Sequence, residues 1–92
     1  MIVRILTHGQ YDVPDDALDD LNAVDERIVE AVEGSDVDAF GAALAQLVDL
    51  VQTKGSPVPL DSLISSDLVL PAPDSSLEEV RALLGDEGLV PD

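Results

Sequence analysis

The chain has 92 residues and a formal net charge of −16, from twenty acidic and four basic side chains. Its length predicts one domain, residues 1–92. The charge excludes nucleic acid as a partner, because a surface of this sign repels phosphate and no basic patch is present. The lack of cysteine excludes disulfides, a thiolate nucleophile and a cysteine zinc site.

Membrane insertion is also excluded by composition. No stretch of the sequence approaches the roughly 18 apolar residues of a membrane-spanning helix. The N-terminal residues MIVRIL lack the basic region and the long apolar region of a signal peptide. We therefore expect a cytoplasmic protein that reaches a membrane only through a partner.

The N-terminal segment MIVRILTHGQYDVP predicts a β-hairpin. Ile2, Val3 and Ile5 favour a strand, and Gly9 lies in a polar break of hairpin length. Pro14 ends the return strand, because proline cannot donate a ladder hydrogen bond.

Two helices follow the hairpin. We expect Asp15 or Asp16 to cap the first, which ends at Gly34, and Ser35 or Asp36 to cap the second, which ends at KGSP. The short link between them predicts an antiparallel helical hairpin. Apolar side chains recur at three- and four-residue steps in both helices, and we expect most of them to lie in the core. They are Leu18, Leu21, Val24, Ile28 and Val32 in the first, and Val37, Phe40, Leu44, Leu47, Val48 and Val51 in the second.

The last quarter of the chain predicts a third strand and a third helix. DLVLP is a short strand closed by a proline. In PDSSLEEVRALLG, Ser75 or Asp74 caps a helix, and Glu78 or Glu79 completes a capping box. The order ββααβα predicts an α+β fold. In it, a small antiparallel sheet of the hairpin and the third strand is covered by the helical hairpin and the C-terminal helix.

Candidate catalytic and metal-binding groups are few. His8 is the only histidine, and no serine, cysteine or paired carboxylate is fixed beside it. DVDAFG begins like a calcium loop, but Phe40 and Leu47 stand where oxygen ligands are required. We therefore expect no catalytic residue, no cofactor and no tightly bound metal.

Several segments, in their order and spacing, resemble the PspA-associated family, PspAA. They are MIVRIL and GQYDVP at the start, LDDLNAVDE in the first helix, and SDLVLPAPDSSLEEVRALLGDEGLVP at the end. The resemblance covers nearly the whole chain. Members of this family are encoded beside a PspA-type membrane-stress protein. The resemblance therefore implies a non-enzymatic accessory protein of an envelope-stress response, with a PspA-like protein as partner.

The resemblance also implies a target for the acidic surface, since PspA-like proteins carry a basic, membrane-binding amphipathic segment. Charge complementarity favours such a partner. We expect the binding residues to lie on the first helix and at the C-terminal end, with Leu89 as an apolar anchor beside an acidic rim. The predicted residues are Asp19, Asp20, Asp25, Glu26, Glu30, Glu78, Glu79, Asp86, Glu87 and Leu89.

Other interpretations of the same residues stay open. The acidity also suits solubility alone, or a salt-adapted host. A site built only from carboxylates would belong to a small-molecule-binding or metal-binding protein or to an enzyme. A stand-alone acidic structural dimer is the third possibility. Val29 and Leu50, which lie outside the main apolar stripes, predict surface for a homodimer contact.

Overall fold

The computed structural model describes residues 1–59, 61 and 64–83. This part of the chain forms four strands and three α-helices. They are β1 (Ile2–Ile5), β2 (Gly9–Asp12), α1 (Leu18–Glu33), α2 (Val37–Lys54), β3 (Ser56–Pro57), β4 (Leu68–Leu70) and α3 (Leu77–Leu83). The α+β class, the N-terminal hairpin and the helices that cover the sheet are confirmed.

The sheet is mixed, with strand order β3-β2-β1-β4. β1 pairs antiparallel with β2, which places Val3 opposite Tyr11. β4 pairs parallel with β1, and Val3 also lies opposite Leu68. The expectation of an antiparallel sheet is therefore wrong at β4. The cause is the connection from β3 to β4, which joins the two opposite edges of the sheet and brings the chain back in the direction of β1.

The helix starts differ in part from the predicted caps. Asp36 caps α2, since its Oδ1 accepts a hydrogen bond from the Ala39 amide at 3.1 Å. α1 has no side-chain cap, because a 3₁₀ turn at Asp15–Ala17 precedes it. The prediction that Asp15 or Asp16 caps α1 is therefore wrong. Asp15 instead accepts a hydrogen bond from the Met1 amino group at 3.4 Å.

α3 begins with a capping box one residue later than predicted. Ser76 Oγ accepts a hydrogen bond from the Glu79 amide at 3.1 Å, and Glu79 Oε1 accepts one from the Ser76 amide at 3.3 Å. Glu79 was one of the two expected partners, whereas Ser75 and Asp74 are not the cap. The shift follows from Leu77, which is buried as the first helical residue, so the cap must come directly before it.

The core lies between the sheet and the helical hairpin. In the described part of the chain, the predicted helical stripes supply nine of its nineteen buried apolar residues, and Leu21, Ile28, Leu44 and Leu47 are each at most 1% exposed. Val37 is the exception, with 67% of its surface exposed. It belongs to the first turn of α2 and lines a cleft beside the start of α3, so its place in the predicted core is corrected.

Candidate interaction surface

The solvent-facing side of the helical hairpin is strongly acidic. We call it the outer helical face. It exposes eight acidic side chains and only two basic ones. The acidic residues are Asp19, Asp20, Glu26, Glu30, Glu33, Asp36, Asp38 and Asp49, and the basic ones are Arg27 and Lys54. Such an excess of one sign attracts a partner of the opposite charge and raises its association rate.

A groove of about 550 Å³ runs between α1 and α2 on this face. Ala31 and Ala43 are buried beneath it, and Glu30 is among its lining residues. Arg27 crosses it, since its Nη1 donates a hydrogen bond to Gln46 Oε1 at 2.8 Å. The small side chains leave room for a partner to approach the helix backbones.

Four of the predicted binding residues on α1 are exposed on this face: Asp19, Asp20, Glu26 and Glu30. Asp25 is not, because only 4% of its surface is exposed. The helical repeat explains the difference. Asp25 follows Leu21 by four residues and precedes Ile28 by three, so it shares the buried side of α1. The expectation that Asp25 belongs to an exposed rim is therefore corrected.

Glu78 and Glu79, two of the residues predicted near the C-terminal end, lie on a helix that contacts the last turn of α1, far from Asp19 and Asp20 in its first turn. Glu78 and Glu79 are exposed on α3, whose Arg81 donates a hydrogen bond to the Val32 carbonyl in the last turn of α1. Asp19 and Asp20 lie in the first turn of that helix, about 20 Å away along its axis. Glu78 also pairs with Arg81 at 2.6 Å. Asp86, Glu87 and Leu89 lie outside the described residues, and their roles stay predictions.

A second feature was missed from the sequence: an apolar cleft of about 350 Å³ between α2 and α3. We call it the α2–α3 cleft. Residues of the two helix starts line it, namely Ser35, Val37, Phe40, Gly41, Ser75, Ser76, Leu77 and Glu78. The apolar spacing of α2 had assigned Val37 to the core. The sequence feature that could have indicated this cleft is Gly41, a glycine inside a predicted helix.

The side of the sheet turned away from the helices exposes several large apolar side chains. We call it the outer sheet face, formed by Arg4, Leu6, Ile64 and Val69. Arg4 pairs with Val69 across β1 and β4 and with Gln10 across β1 and β2. Gln10 is only 9% exposed, because its Nε2 donates hydrogen bonds to the Ile64 carbonyl at 2.9 Å and to Ser66 Oγ at 2.8 Å. Residues 64–66, which precede β4, therefore cross this face.

The described residues contain no group of three or more histidine, cysteine, aspartate or glutamate side chains arranged to hold a metal ion. Among the helices of that same part of the chain, none has the length and apolar character needed to span a bilayer.

The fold and these surfaces define a small acidic α+β protein with a charged helical side. The family model described as PspA-Associated protein, PspAA, matches residues 1–92, the full length of the sequence. The chain belongs to the PspA-associated protein family, as its segments indicated. Comparison with curated proteins and with solved structures found no match.

Proposed function

We propose that this protein is a non-enzymatic accessory module that binds a PspA-like protein in an envelope-stress response. It acts as one domain on the cytoplasmic side and reaches the membrane through that partner. Membership of the PspA-associated family supports the choice of partner. The outer helical face, with eight exposed carboxylates and two basic groups, is the single observation that supports the mode of binding.

The spacing of the acidic residues on α1 suits a helical partner. Four of them recur at intervals of three, four or seven residues: Asp19, Glu26, Glu30 and Glu33. Residues at these intervals share one side of a helix, so they form a line of negative charge about 20 Å long. A basic amphipathic helix lying beside α1 can pair with this line over several turns.

The charges on this line are free to act at a distance, because the ion pairs among the described residues include none of its four carboxylates. Lys54 Nζ lies 3.8 Å from Asp20 Oδ2, and Arg27 is bonded to Gln46. Exposed charges of this kind mainly accelerate the encounter of two proteins. Salt weakens the effect, since the screening length is about 10 Å at 0.1 M ionic strength.

The test is the association rate with a PspA-like protein from the same organism, measured at several ionic strengths. Reversing two charges, Asp19→Lys with Glu26→Lys, should slow association by about tenfold or more at low salt. It should also flatten the dependence on salt. The free energy of unfolding should change by less than about 0.5 kcal/mol, because both side chains are exposed.

The control changes the net charge equally on another part of the molecule. Asp12→Lys with Asp61→Lys places the same charges in β2 and in the connection from β3 to β4, where both wild-type residues are exposed. This variant should associate nearly as fast as the wild type. An equal slowing in both variants would mean that net charge alone matters. No binding by the wild type would refute the proposed partner.

A further inference from the structure

The α2–α3 cleft exposes apolar surface that no described residue covers. Phe40 and Leu77 are buried at its base, at 3% and 6% exposure, whereas Val37 at its mouth is 67% exposed. Val37 is the most exposed large hydrophobic side chain in the described residues. Its exposure is unfavourable in water. An apolar side chain from another molecule would cover it.

Gly41 adds a second, independent observation. Glycine destabilises the interior of a helix relative to alanine, and Gly41 lies well inside α2. A Cβ atom at this position would meet no described atom within 4 Å, so no close approach within the described fold requires a glycine there. Gly41 lines the α2–α3 cleft, and its missing side chain keeps that cleft open.

The surroundings of the cleft indicate the charge of its occupant. Asp36, Asp38 and Asp74 are exposed near the two helix starts that form it. Arg81 is the nearby basic residue, and it is already bonded to Glu78 at 2.6 Å and to Ser35 Oγ at 3.0 Å. The rim therefore complements lysine or arginine side chains on either side of an apolar one.

We infer that the α2–α3 cleft receives one large apolar side chain from a basic helical segment of a protein partner. The volume of about 350 Å³ is near the lower limit of small-ligand pockets, which span about 300–1,000 Å³, and it suits an anchor side chain. The inference that this partner is basic rests on the proposed function. The cleft adds an apolar anchor point near the end of the helical hairpin, beyond the charged line on α1.

The experiment uses two synthetic peptides and two variants of the full chain. The first peptide is a helix of about 18 residues with lysine and arginine on one side and leucines on the other, and the second has serine in place of the leucines. Gly41→Phe fills the cleft. Ala45→Phe, one turn further along α2 at an exposed position outside the cleft, adds the same side chain as a matched control.

The wild type and Ala45→Phe should bind the leucine peptide at least about tenfold more tightly than the serine peptide, the factor expected from burying one large apolar side chain. Gly41→Phe should lose this difference while keeping its helical circular dichroism. Val37→Ser, at an exposed position, is a second variant that should weaken leucine-peptide binding without depending on the tolerance of α2 for phenylalanine.

Equal binding of the two peptides by the wild type would overturn the inference, as would an undiminished preference in Gly41→Phe and Val37→Ser. If Gly41→Phe abolished self-association and left peptide binding intact, the occupant would be a second copy of this chain and the inference would be wrong. The peptides are independent of the PspA-like protein. If the wild type failed to bind the PspA-like protein, the peptide experiment would therefore still test the cleft.

Discussion

The two outer faces of this molecule enclose one core and differ in surface chemistry. The outer helical face exposes eight carboxylates. The outer sheet face carries three of the four exposed large hydrophobics in the described residues, Leu6, Ile64 and Val69, at 42%, 46% and 51% exposure. Asp12 is also exposed on the sheet side, since it shares the face of Gln10 two residues earlier on β2. The two faces therefore differ mainly in how much apolar surface they expose.

The difference follows from the geometry of the two layers. Each long helix turns a wide arc to solvent over four or more turns, so many positions are available for carboxylates. The sheet is formed by strands of two to four residues, and residues 64–66 cross part of its outer side. Few positions remain there, and the exposed ones include the apolar Leu6 and Val69 and the charged Arg4 and Asp12.

The largest expected loss of stability comes from a substitution in the core between the two faces. Leu44 on α2 is 1% exposed, and Leu44→Ala should lower the free energy of unfolding by about 2–5 kcal/mol. Denaturant unfolding measures this loss. Leu6→Ala is the matched control, because the same atoms are removed from a side chain that is 42% exposed. Equal losses in the two variants would contradict the placement of α2 on the sheet.

An intermediate effect is expected where the outer sheet face is covered. Gln10→Leu removes the hydrogen bonds to the Ile64 carbonyl and to Ser66, and should cost about 1–3 kcal/mol of unfolding free energy. It should also speed proteolytic cleavage between β3 and β4. Gln52→Leu is the control, since Gln52 is exposed and donates one longer bond, 3.3 Å, to the Tyr11 hydroxyl. Unchanged cleavage in Gln10→Leu would mean that this amide does not fasten the crossing segment.

The smallest effect on stability is expected from substitutions that weaken self-association through the outer sheet face. They also test directly whether the two outer faces differ. We expect the wild type to associate more strongly as salt screens the net charge of −16. Leu6→Ser with Val69→Ser should weaken this association with little loss of stability, because both side chains are exposed. Light scattering over a range of salt concentrations measures it. Ala42→Ser with Ala45→Ser on the outer helical face should change nothing, and a monomer at every salt concentration would refute the idea.

Features set by neighbouring residues were predictable from the sequence. The Asp36 cap, the helix ends at Gly34 and Gly55, and the buried stripe of α2 from Phe40 onward depend on spacing within one helix. Both helices of the hairpin were therefore placed correctly. The exposed acidic side of α1 follows from the same periodicity.

Features set by distant contacts were not predictable in this way. The direction of β4 depends on how the chain crosses the sheet after β3, and no local pattern records that path. Val37 fits the apolar spacing of α2, but the start of α3 leaves it beside an open cleft. Asp25 shows the opposite error, since it was predicted to be exposed and is buried. The prediction followed the charge of aspartate, which is rarely buried, and not its position in the helical repeat.

The parallel pairing of β1 with β4 has a consequence for the order in which the chain folds. Both hairpins, that of β1 with β2 and that of α1 with α2, join neighbouring segments and can form early. β4 reaches β1 only after a loop that contains both long helices has closed, a step that slows folding. Until then one edge of β1, with the apolar Val3 and Ile5, has no partner, and unpaired edges attract other chains. We therefore expect the chain to be most prone to aggregate before residues 68–70 pair with β1.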